Sequence, residues 1–110
     1  MADDYRLLAP GDLVANRYGV EALYAMGSRS ALVSASQQLG SSKRWVIVQV
    51  FYRRDAQEMT RIHERIGTLA AATDGPSWRR PIDFGVLENG HAYAVFAYED
   101  GTDYTPLLTG

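Results

Sequence analysis

Few side chains in this sequence can do acid–base, nucleophilic or metal chemistry, and their spacing brings few of them together. There is no cysteine in the 110 residues, which excludes disulfides, thiolate metal sites and a cysteine nucleophile. His63 lies in a stretch of helical periodicity with no second histidine or carboxylate at a ligand spacing, so it reads as a surface residue of a helix. Glu64 and Arg65 beside it read as solvated charges of the same helix. Lys43 is the only lysine and falls in the polar turn Leu39-Gly40-Ser41-Ser42-Lys43-Arg44. A local basic pair, Arg79-Arg80, is too short to attract nucleic acid in a chain of net charge −2. No catalytic constellation, metal site or cofactor site is expected from these groupings.

The elements that carry these residues form one small domain. With 46% hydrophobic and 22% charged residues, the composition is that of an ordinary folded protein. Apolar stretches run only a few residues, so no membrane insertion is expected. The acidic start Met1-Ala2-Asp3-Asp4 lacks the layout of a secretion signal, and a cytoplasmic location is the expectation. Residues 1–16 read as a lead-in that contains Pro10-Gly11-Asp12 and ends in a short strand. RYGVEALYA (17–25) and ALVSASQQ (31–38) read as strands around the turn Gly27-Ser28-Arg29-Ser30. WVIVQVFY (45–52) is the strongest strand signal, since its β-branched content leaves little room for a helix.

The period then changes. Met59, Ile62, Ile66, Leu69 and Ala70 recur at helical spacing. Asp55 and Glu58 resemble a capping box, and Gly75-Pro76 supplies the stop, giving a helix over about 55–73. PIDFGVLE (81–88) and HAYAVFAY (91–98) flank Asn89-Gly90, a tight-hairpin signal. Thr105-Pro106-Leu107-Leu108 reads as the start of a helix, with Thr as cap and Pro in the first turn. The expected fold is α+β: a five-stranded curled antiparallel sheet with one main helix, in the order βββαββ, spanning 17–104, with a tail over 105–110.

That order, together with RYGV, AMGSRSAL, WVIVQVF, PIDFGVLENG and HAYAVFAYEDG in sequence, resembles the N-terminal lobe of a eukaryotic-like Ser/Thr protein kinase over about residues 11–108. The resemblance implies where a nucleotide would sit. The family's glycine-rich loop G-x-G-x-x-G-x-V matches Ala25, Gly27, Ser30 and Leu32, so only the middle glycine remains. Side chains at Ala25 and Ser30 stand where backbone should approach phosphate. The V-A-I-K strand matches Val46-Ile47-Val48-Gln49. Gln49 replaces the phosphate-anchoring lysine with a neutral amide, and Ile47 puts bulk where the family has a small residue beside adenine. Counting back four from Leu69 places Arg65, and not a glutamate, at the helix position that pairs with that lysine. Asp83-Phe84-Gly85 spells the family's magnesium motif but lies before the second strand of the hairpin, with no H-R-D-x-x-x-x-N loop ahead of it, and so reads as structural.

The resemblance therefore implies a degenerate, pseudokinase-like lobe without ATP binding. The catalytic base, metal ligands and activation segment of the family belong to a second lobe that these residues do not encode. The expected function is a non-catalytic protein–protein interaction or regulatory module, whose partner is another protein or a second copy in a homodimer. Phe96 falls at the family's gatekeeper position. Ala94, Phe96, Tyr98, Leu107, Leu108, Met59 and Ile62 are the candidate interaction residues if the cleft face is bare. The alternative is that Phe96, Ile47 and the tail fold together and seal the cleft. Two further readings stand beside these: the N-terminal piece of a longer kinase-like protein, and a nucleotide sensor without turnover.

Overall fold

The computed structural model describes residues 9–52, 56–71, 79–87 and 90–108. They form a six-stranded antiparallel sheet and one α-helix. In chain order these are β1 (Leu13–Val14), β2 (Tyr18–Met26), β3 (Ser30–Leu39), β4 (Ser42–Phe51), α1 (Ala56–Ala71), β5 (Asp83–Val86) and β6 (Ala92–Ala97), then a 3-10 turn over Thr105–Leu108. The spatial order is β1-β2-β3-β4-β6-β5. The α+β class and the curled antiparallel sheet are as the sequence predicts, but the strand count is six, in the order ββββαββ.

The added strand is β1, inside the segment read as lead-in. Arg17 N–H donates to the Val14 carbonyl at 3.0 Å, and the two residues between, Ala15 and Asn16, both have positive φ (54° and 58°). This is the geometry of a tight type I′ hairpin turn, made here without the usual glycine. Thr105–Leu108 was expected to open a helix and forms a single 3-10 turn instead. The Asp55 cap, the Gly75-Pro76 stop and the Glu88-Asn89 half of the last turn lie outside the described residues. Within that turn, Leu87 N–H donates to the His91 carbonyl at 2.8 Å and Gly90 N–H to the Leu87 carbonyl at 2.9 Å.

The central strands are covered on both faces. Val46, Ile47, Val48, Gln49 and Val50 of β4 are buried in unbroken succession, as are residues 92–96 of β6. Alternation then sorts them into two cores. One contains Val33, Val46, Val48, Val50, Tyr93 and Val95, with Val14, Tyr18 and Val20 from β1 and β2. The other contains Leu32, Ile47, Ala94 and Phe96, closed by Ile66 of α1 and by Tyr104.

A polar clasp records the curl of the sheet. Three strands separate β2 from β5, yet the Tyr18 hydroxyl donates to the Asp83 carboxylate at 2.8 Å and Arg17 Nη1 at 2.9 Å. These contacts require the sheet to bend around its inner core. Burial raises the Tyr18 phenol to about 12, with the hydrogen bond to Asp83 adding to the rise. Gly85, two residues on, lies against the Tyr93 ring: a Cβ there would sit 3.0 Å from the Tyr93 hydroxyl. The Asp-Phe-Gly string thus supplies a clasp, an exposed phenyl ring and a close packing point.

Candidate functional site

The residues matched to a kinase-like cleft share one face of the sheet. Antiparallel pairing puts Ala25 opposite Leu32, Leu32 opposite Gln49, and Gln49 opposite Ala94. Ile47 lies opposite Phe96 on that same face. The α1 residues Ile62 and Ile66 approach it from one side, and Tyr104 with Leu107 and Leu108 from the other.

Gln49 is buried, with 4% of its surface exposed. Its Nε2 donates to Ser30 Oγ at 2.8 Å and to the Leu107 carbonyl at 3.0 Å. The amide therefore ties the loop side of the cleft to the 3-10 turn. Ser30, matched to a loop glycine, serves as the buried acceptor. Gly27, the retained loop glycine, closes the β2–β3 turn by donating to the Ser30 carbonyl at 2.8 Å. The space left by its missing side chain is taken by Leu108, whose Cβ and Cδ2 would stand 3.2 and 3.3 Å from a Cβ at position 27. Leu108 thus takes up the close approach to the backbone at Gly27.

Arg65 is exposed on α1 and, with Gln49, lines a cavity of about 60 Å³. That space suits one or two waters, against the several hundred Å³ of a small-molecule pocket. An amide and a guanidinium thus stand where the family pairs lysine with glutamate. Lys43 lies far from Gln49: six residues of strand, about 20 Å, separate them. Its Nζ lies 5.6 Å from the Trp45 ring centroid instead. Among the described residues, no group of three or more His, Asp or Glu is placed to hold a metal, and no helix is long and apolar enough to cross a membrane.

The predicted interaction residues divide. Ala94 and Phe96 are core residues, 0% and 1% exposed, because Tyr104 and the 3-10 turn cover them. Of the two arrangements that the sequence leaves open, the sealed cleft is the one present. Ile62, Leu107 and Leu108 are half-buried parts of that seal, and Tyr98 alone is substantially exposed. The Met59 side chain lies outside the described residues.

Tyr104 is the residue that sequence reasoning missed. It is fully buried. Its hydroxyl donates to the Ala97 carbonyl at 2.7 Å and accepts from Glu99 N–H at 2.9 Å. Its own N–H donates to the Tyr24 hydroxyl at 3.1 Å. The signal available was the spacing Tyr104, Leu107, Leu108, which puts three apolar groups on one side of a single turn.

No protein-family model matches this chain, and no curated protein matches it. The chemistry of the cleft is therefore read from its own residues.

Proposed function

We propose that this chain is a non-catalytic module, built like a kinase N-terminal lobe, that works through contacts with other proteins. The observation that carries the reading is Gln49: it is neutral, buried, and spent on holding Ser30 and the Leu107 carbonyl. Phosphoryl transfer depends on positioning and on charge placed against phosphate. In this cleft the anchoring charge is replaced by an amide and the phosphate approach by Leu108.

The protein-contact half of the reading is supported at the edge of the sheet. Among the described residues β5 pairs with β6 alone, and Ile82, Phe84 and Val86 stand 43%, 46% and 50% exposed at alternate positions. An uncovered edge carrying apolar side chains is a surface on which another strand can pair. Two measurements test the proposal. Magnesium ATP should leave the melting temperature unchanged, because a ligand of the native state would raise it by mass action. Sedimentation of the chain, alone and with proteins captured from its native cells, should show an association that Phe84→Lys weakens without unfolding the domain. A saturable rise in melting temperature with ATP, or a wild-type chain that remains monomeric and captures nothing stoichiometrically, overturns it.

A further inference from the structure

The most distinctive unassigned feature is an open groove of about 590 Å³ at the other end of the same sheet face, lined by Tyr24, Ser34, Trp45, Val46, Tyr98 and Asp100. Three of its walls are aromatic and exposed: Tyr24 by 37%, Trp45 by 48% and Tyr98 by 43%. Their presentation follows from the backbone. The β2–β3 register skips Tyr24 between Leu23 and Ala25, and a bulge of this kind re-aims the side chain it carries.

The rings are held at defined angles by Tyr104 behind them. Tyr24 stands edge-on to Tyr104, at 86° with centroids 6.0 Å apart. Tyr98 stacks on Tyr104, at 19° and 6.3 Å. The Tyr24 and Tyr98 planes consequently lie within about 25° of a right angle, forming a corner of the groove that Trp45 also lines. The Tyr24 hydroxyl is pinned by accepting from Tyr104 N–H at 3.1 Å. The Asp100 carboxylate, which also lines the groove, places an anion at the rim and holds the Tyr98 phenol above its ordinary value.

Aromatic faces at right angles beside a carboxylate attract cations. One cation of the chain already uses this chemistry, since Lys43 Nζ stands 5.6 Å from the Trp45 centroid, within cation–π range. The groove's polar groups are the Asp100 carboxylate and the Ser34 hydroxyl, whose Oγ donates to the Ala22 carbonyl at 3.3 Å, and its exposed walls are aromatic. A cation with no N–H to satisfy suits this aromatic wall, where a primary ammonium would bring three N–H donors to satisfy.

We infer that this groove is a binding site for a quaternary ammonium group, presented either by a small choline-like molecule or by a trimethylated lysine side chain. The site is independent of the kinase-like reading of the cleft. The test is a proton–nitrogen NMR titration of the full chain, followed at the Trp45 indole N–H. The probes are tetramethylammonium, choline, the neutral carbon isostere of choline, and a short peptide with and without a trimethylated lysine. Tetramethylammonium and choline should shift the indole resonance saturably, and the neutral isostere should not. Tyr98→Leu, at an exposed position that leaves the fold intact, should weaken binding about three- to thirty-fold. If the trimethylated peptide binds more tightly than choline the source is a protein side chain, and if it binds no more tightly the source is a small molecule. A cation response no larger than that of sodium chloride at equal ionic strength, or equal shifts from choline and its neutral isostere, overturns the site.

Discussion

The two ends of one strand face in this molecule have opposite fates. Along β4, Gln49 and Ile47 are buried beneath Tyr104, Leu107 and Leu108, whereas Trp45, two residues before Ile47 on the same face, is 48% exposed. Both ends belong to the same sheet and meet the same segment after β6. The difference is what that segment offers each of them. At the Gln49 end it supplies two leucines and a carbonyl acceptor. At the Trp45 end it supplies the exposed ring of Tyr98 and the Asp100 carboxylate. One end of the face thus became core, and the other was left as surface with aromatic walls.

The closed end should be expensive to disturb. Phe96→Ala removes a ring 1% exposed from beneath Tyr104 and should cost about 3–5 kcal/mol, read as a lowered midpoint in urea. A loss within about 1 kcal/mol would mean that the turn does not bury the face as described.

The clasp on the other face gives a pH-dependent counterpart. The Tyr18 phenol is raised to about 12 from its ordinary 10.0, so its contribution is fully present below pH 10 and is lost as pH rises from 10 towards 12. A two-unit rise corresponds to about 2–3 kcal/mol. Tyr18→Phe should flatten most of the fall in stability over that window. Part should remain, because burial also raises Tyr93 and Tyr104. A wild-type chain whose stability is level across pH 10–12 would show that the clasp is not formed.

Gln49→Leu should cost about 1–3 kcal/mol, since it leaves the Leu107 carbonyl and Ser30 Oγ without their shared donor. Amide exchange within 105–108 should quicken in parallel, and unchanged exchange would separate the turn from Gln49. At the open end Tyr98→Leu should change stability by less than about 0.5 kcal/mol. A large loss there would make the groove structural and remove the contrast between the two ends.

How legible each part was in the sequence follows from the same physics. β4 is plain from the apolar, β-branched run Val46-Ile47-Val48, β6 from the Asn89-Gly90 hairpin signal before it, and α1 from apolar residues at helical spacing. β1 was only hinted at, since its turn uses Ala15-Asn16 at positive φ (54° and 58°) where a glycine would have announced it. The neutral amide at Gln49 is readable from one residue, whereas the closure above it is not. That closure depends on Tyr104, whose burial is a long-range event of which the spacing Tyr104, Leu107, Leu108 is a weak local trace. The groove was invisible for a similar reason: Tyr24 is aimed by a bulge and Tyr98 by stacking, and neither leaves a periodic mark.

The most direct test of the central claim follows the side-chain amide of Gln49 by proton–nitrogen NMR while magnesium ATP is added. If the cleft is closed by the chain's own turn, the Gln49 Nε2 protons exchange slowly with solvent and their resonances stay in place throughout the titration. Fast exchange, or a saturable shift of those resonances with ATP, would contradict the account and return the cleft to nucleotide binding.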